Sequence, residues 1–207
     1  MHSTPTVYII DDDNGVRSSI RVLMKSVGLP AVTFASAQEF LRAYVPSQPG
    51  CLVLDIRMPA MNGLELQSVL RAKGATIPII FITGHGDVPM AVEAMRNGAF
   101  EFLQKPFRDQ DLIDRVQEAL ARDSESRHSV EEQHRIKACV ESLTPREREV
   151  LELLTTGKAN KSMATDLGLS QRTVEIHRAH VMEKMGVKSV AQLTRMVLQL
   201  ESHSAPQ

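Results

Sequence analysis

Five short apolar runs, at residues 6–10, 31–34, 51–54, 77–82 and 100–103, punctuate the first half of the chain, and apolar positions at helical spacing follow each of them. After the first run three acids, Asp11, Asp12 and Asp13, give way to Val16, Ile20, Leu23, Met24 and Val27, a one-sided stripe that Gly28 closes. Ser36-Ala37-Gln38-Glu39 is a capping box that opens a second helix. Leu64, Leu66 and Leu70 mark a third after Asn62-Gly63, and further helices are expected over 88–97 and 109–120. The runs are apolar throughout rather than alternating, as in strands covered on both faces. The pattern therefore predicts an α/β domain with a five-stranded parallel sheet and helices on either side.

From 121 the pattern changes to Arg, Glu, Ser, His and Gln, without Gly or Pro, which predicts a solvated linker over 123–142 with helical potential. From 143 every signal is helical. Thr144-Pro145-Arg146-Glu147 is a capping box with Pro at the first helical position, and Val150, Leu151, Leu153 and Leu154 form the apolar face that follows. A short helix over 160–166 closes at Gly168, Ser170 caps a longer one to about Met185, and 189–200 makes a fourth. The expected organisation is an α/β domain over 1–122, a linker over 123–142 and an all-α four-helix domain over 143–207.

Composition narrows the function classes only by exclusion. With 43% hydrophobic and 24% charged residues the chain is ordinary for a protein with a packed core. No apolar run approaches the length of a membrane span, and no secretory leader pattern opens the sequence, so a cytoplasmic location without membrane contact is expected. Cys51 and Cys139 have no metal or redox spacing and read as reduced thiols. Net charge is −1 over the whole chain and +2 over 143–207, too little to name a nucleic-acid partner. Two Tyr, six Phe and no Trp argue against stacking on single strands.

The informative chemistry lies where the predicted strands end. In an open parallel sheet, sites form at the carboxyl ends of the strands. Here those ends carry Asp11, Asp12 and Asp13, then Asp55, Thr83 and Lys105. Clustered carboxylates repel one another and call for a cation; a hard, oxygen-seeking ion such as Mg²⁺ answers that need and prepares the site for a phosphoryl group. Asp13 reads as a helix cap, and Met58 and Met61 as packing. His85, between two glycines, reads as a loop residue rather than a catalyst.

Asp11-Asp12, Asp55 in Asp55-Ile56-Arg57-Met58-Pro59, Thr83 and Lys105-Pro106 resemble the receiver domain of two-component response regulators over residues 5–122. The resemblance implies a flavodoxin/CheY-like doubly wound fold and phosphotransfer from a sensor histidine kinase onto Asp55. It also implies Mg²⁺ held by Asp12, Asp55 and the backbone carbonyl of Arg57, with Asp11 acting on the metal through its waters. Thr83 and Lys105 would bind phosphoryl oxygens, and the Lys105–Pro106 bond would be cis. Phe102 sits where the family has an aromatic switch coupled to the Thr; a buried strand Phe is the plainer alternative. No turnover enzyme is implied, beyond slow loss of the protein's own phosphoryl group.

A short helix, a tight turn and a capped longer helix make a helix-turn-helix. Val174, His177, Val181 and Met185 share its inward face, with His177 structural. Leu143–Leu151, Asn160-Lys161-Ser162, Arg172–His177 and Lys184-Met185 resemble the LuxR-type helix-turn-helix over residues 143–200. A receiver followed by this module is similar to the FixJ/NarL regulators, closest to FixJ. The resemblance implies major-groove binding to promoter DNA through Ser170, Arg172, Thr173, Glu175, Ile176, Arg178 and Ala179, with phosphate contacts from Lys161, Lys184 and Lys188. It further implies a homodimer on phosphorylation, through residues 88–97 and 100–103, and RNA polymerase as a partner. Two rivals compete with this reading. A haloacid-dehalogenase-type phosphohydrolase needs a second acid at the position of Arg57; a pure protein-interaction switch would bind no DNA.

Overall fold

The computed structural model describes residues 4–84 and 88–204. Two compact units divide it, 1–127 and 128–207.

In the first unit β1 (Thr6–Ile10), β2 (Ala31–Phe34), β3 (Gly50–Asp55), β4 (Ile79–Thr83) and β5 (Glu101–Gln104) form one parallel sheet in the order β2-β1-β3-β4-β5. Between them run α1 (Asn14–Ser26), α2 (Ala37–Ala43), α3 (Gly63–Ala72) and α4 (Val88–Arg96). Successive strand residues point to opposite faces, and the continuous apolar runs supply both. Tyr8, Ile10, Leu52, Leu54 and Phe81 join Phe40, Leu66, Leu70 and Ala94 of α2, α3 and α4 on one face. Val7, Ile9, Val53, Ile80 and Ile82 join Ile20 and Met24 of α1 on the other, together with Leu112, Ile113 and Val116. Met58 and Met61 also lie in or against the first of these cores. Val27, the last member of the α1 stripe, falls on the helix cap and is exposed.

Residues 112–116 belong to α5, which runs unbroken over Asp109–Glu141, through the 123–142 stretch whose sequence has helical potential. Its apolar stripe fades after Leu120, but a buried polar clamp takes over. Asp123 accepts hydrogen bonds from the Gly50 amide at 2.9 Å and from Arg127 Nε at 2.7 Å. Arg127 also donates to the carbonyls of Pro46 and Gln48, so the first unit closes at Arg127. Farther along, Ile136, Cys139 and Val140 join the core of the second unit.

That unit comprises the end of α5 with α6 (Pro145–Thr155), α7 (Asn160–Leu167), α8 (Gln171–Lys184) and α9 (Val190–Ser204). The capping box at Thr144 and Glu147 forms in both directions, and Val150, Leu151 and Leu154 of α6 are buried. Gly168 takes φ 65°, the left-handed turn that lets α8 leave α7 at an angle. No helix among the described residues is long and apolar enough to cross a membrane.

Candidate functional site

Four of the five strands, β1, β3, β4 and β5, each deliver one group to the carboxyl edge of the sheet. β1 stops at Asp11, which is 1% exposed, because its carboxylate accepts the Asp13 amide at 2.8 Å and turns the chain. Asp13 then caps α1, accepting from the amides of Gly15 and Val16. Asp55 ends β3 with Oδ2 accepting the Arg57 amide at 2.7 Å, and Thr83 ends β4 fully buried. Lys105 follows β5; its amide donates to the Thr83 carbonyl at 2.7 Å, and its peptide bond to Pro106 is cis.

These elements converge on one ammonium. Lys105 Nζ lies 2.8 Å from Asp11 Oδ2 and 2.8 Å from Asp55 Oδ1. Burial pushes the Asp55 carboxyl above its ordinary range, and that outweighs the lowering by Lys105. Burial pulls the Lys105 ammonium down, but its bonds to Asp11 and Asp55 more than compensate and hold it above the usual lysine value. Two buried carboxylates thus share one cation, which leaves an excess negative charge among oxygen donors. That donor set suits a hard divalent ion such as Mg²⁺. Among the described residues no group of three or more His, Cys, Asp or Glu side chains is placed to hold a metal ion.

Of the other expected residues, Asp12 is exposed beside the pair, and Arg57 is exposed with its carboxylate-bound amide facing Asp55. Phe102 is half-buried and packs against the core on the α2–α4 side. His85 lies outside the described residues. Two contributors carry no sequence signal for this role. Arg17 donates from α1 to the Asp11 carbonyl at 2.6 Å. Gly63 lets α3 start against β3: a Cβ there would stand 2.6 Å from the Asp55 carbonyl oxygen and 2.9 Å from Phe81. Asn62-Gly63 is legible only as a turn and helix start.

In the second unit Ser170 caps α8 by accepting the Thr173 amide at 3.1 Å, and its hydroxyl also pairs with that of Thr173. Val174, Val181 and Met185 are buried, with His177 half-buried beside them. Arg172, Glu175, Ile176 and Ala179 are exposed on α8, as are Lys161 and Lys188 elsewhere. Arg178 and Lys184 are engaged internally. Arg178 donates to Asn160 Oδ1 at 3.0 Å across the turn, and Lys184 Nζ lies 2.7 Å from Oε2 of the buried Glu147. The hydrogen bond from Lys184 and that from the Thr144 amide pull the Glu147 carboxyl down to about 2.

A family model for the response regulator receiver domain matches residues 7–117, and one for bacterial regulatory proteins of the luxR family matches 141–197. Nodulation protein W of Bradyrhizobium diazoefficiens is 48% identical over 92% of this chain and 84% of its own length. Transcriptional regulatory protein FixJ of Azorhizobium caulinodans is also 48% identical, over 93% of this chain and 91% of its own. Among solved structures, response regulator StyR superposes with a TM-score of 0.88 at 46% identity, covering 95% of this chain and 100% of that one. Full-length FixJ from B. japonicum superposes at 0.60 with 41% identity, over 97% and 98%.

Proposed function

The chain belongs to the two-component response regulators that join a receiver to a LuxR-type DNA-binding domain, and from that premise we propose that Asp55 accepts the phosphoryl group. It is a transcriptional regulator rather than a classical enzyme: the receiver implies a sensor kinase as partner, and the luxR-family domain implies DNA. The observation that carries the assignment is the Lys105 ammonium bridging Asp11 and Asp55 at the carboxyl edge of the sheet.

In the proposed transfer an Asp55 oxygen attacks the phosphorus of a kinase phosphohistidine. A P–O bond forms and the P–N bond breaks; the electron pair leaves with the imidazole, which takes a proton from solvent. Lys105 exchanges its Asp55 oxygen for a phosphoryl oxygen, and the Thr83 hydroxyl takes another. Asp12, Asp55 and the Arg57 carbonyl would hold Mg²⁺, with Asp11 acting on it through its waters; when bound the ion supplies charge that neutralises the phosphoryl oxygens. Phe102, half-buried on β5, follows Thr83 as the switch residue. Later hydrolysis of the acyl phosphate resets the protein slowly.

Val92 and Met95 leave large apolar surfaces exposed on α4, which supports dimerisation of phosphorylated receivers through α4 and β5. Two helical domains then bind two half-sites with the avidity one lacks. Ser170, Arg172, Thr173, Glu175, Ile176 and Ala179 face the major groove, and Lys161 and Lys188 contact phosphates. Arg178 and Lys184, with partners inside the domain, brace α8 rather than read DNA. Bound at a promoter in the cytoplasm, the dimer meets RNA polymerase.

Intact-mass spectrometry tests the assignment. Wild-type protein incubated with a small phosphodonor and Mg²⁺ gains one phosphoryl group, and Asp55→Asn gains none. Phosphate on the Asp55→Asn variant that survives acid but not base overturns it.

A further inference from the structure

At the amino ends of β4 and β5, opposite the Asp55 edge, a cavity of about 650 Å³ opens between α3, α4 and α5, within the usual range of roughly 300–1,000 Å³ for a small-molecule site. Leu70, Ile77, Ile79 and Phe100 supply apolar walls. Arg71, Arg96 and Arg122, one from each helix, also line it, with the neutral polar Gln67, Thr76 and Asn97, and among the described residues no acid lines the cavity. The three guanidinium groups make no ion pair or side-chain hydrogen bond with any described residue, in contrast to Arg17, Arg115, Arg127 and Arg178.

Helix dipoles explain part of this. Arg71 and Arg96 stand in the last turns of α3 and α4, where a cation offsets the carbonyl end. Two helix ends carry roughly −0.5 each, about −1 together, against three full positive charges. About +2 is left over, and Arg122, far from either end of α5, has no dipole to answer. A dianionic phosphate matches that surplus; a carboxylate matches half of it. The apolar walls call for a flat apolar body attached to the phosphate. Gln67, almost wholly buried in the wall, donates from Nε2 to the Ala94 carbonyl at 3.1 Å, which leaves its Oε1 without a donor among the described residues. An amino group on the ligand supplies one.

We propose that this cavity binds a small organic phosphate of the nucleoside monophosphate class, with the phosphate on Arg71, Arg96 and Arg122 and the base against Ile77 and Phe100. The site lies on the receiver, away from the Asp55 edge, and stands independently of the phosphotransfer reading.

Isothermal titration of the full-length protein with AMP tests it. AMP binds saturably, while adenosine and inorganic phosphate each bind at least about tenfold more weakly, since charged hydrogen bonds and apolar contact both contribute. Arg122→Gln and Arg71→Gln each weaken AMP about tenfold while phosphoryl acceptance at Asp55 is unchanged, and saturating duplex DNA does not displace AMP. Circular dichroism checks folding, and Arg96→Gln replaces any variant that fails to fold. Absence of saturable binding with both AMP and GMP overturns the proposal. So does equal affinity for AMP and adenosine, equal affinity for AMP and inorganic phosphate, displacement by DNA, or unchanged AMP affinity in the folded arginine variants.

Discussion

Replacing Lys105 with methionine keeps most of the stem and removes the one cation between Asp11 and Asp55. Both contacts are 2.8 Å. A hydrogen bond to a charged group contributes about 1.5–3 kcal/mol, and removing one partner of a fully buried ion pair costs about 3–5 kcal/mol. The Lys105 side chain keeps 27% of its surface in solvent, which places the loss at the lower end, about 2–3 kcal/mol near neutral pH. The pH dependence is the sharper test. Burial already holds the Asp55 carboxyl above its ordinary value, and without Lys105 it climbs further. A group whose folded pKa is raised contributes stability fully below its unfolded value, roughly pH 4, and loses it as pH rises through the folded value. The variant's deficit is therefore smaller at about pH 5 than at about pH 7.5, and Mg²⁺ narrows it at the higher pH. Urea denaturation in chelator, followed by tyrosine fluorescence, measures this cleanly. The chain has two Tyr and no Trp, and Tyr8 and Tyr44 both lie in the receiver. An equal loss at both pH values would refute the reasoning.

Gly63→Ala forces a Cβ to 2.6 Å from the Asp55 carbonyl oxygen, which cannot yield without moving the strand end that carries the carboxylate. The same fluorescence assay should show a loss of about 1–3 kcal/mol, with slower phosphoryl acceptance; unchanged stability would contradict the close approach. In the DNA-binding domain, Glu147 is held down at about 2 by Lys184 and the Thr144 amide. A lowered folded pKa contributes stability above the ordinary glutamate value and loses it as pH falls toward about 2. Backbone NMR signals of α6 and α8 should weaken over that interval, and Lys184→Met should remove most of the dependence; an identical acid profile in the variant would exclude the pairing as its cause.

Much of the fold was legible because local physics wrote it. Strands covered on both faces need continuous apolar runs, so those runs located the sheet, and the polar residues that stop them, Asp11, Asp55, Thr83 and Lys105, located the site. The caps at Ser36, Thr144 and Ser170 were readable for the same reason, since a cap acts within three residues of itself. What stayed hidden depends on distant segments meeting. Residues 123–142 are polar enough to read as a linker with helical potential, but Asp123 Oδ2 and Arg127 bind the backbone of residues 46–50, which only the packed sheet brings within reach. The partner of Lys184 is hidden in the same way: Glu147, 37 residues away, is supplied by the packing of α6 against α8. Gly63 looked like a turn residue, and only its distance to Asp55 shows why a side chain is excluded there. Arg71, Arg96 and Arg122 are unremarkable in sequence, and the convergence of three helices places them around one cavity. Where most strands and helices begin is set by neighbours a few residues away, so the order of residues was enough to place those starts; the extension of α5 to Glu141 was not among them. Which charges meet depends on which elements pack together, and no local pattern carries that information before the chain has folded.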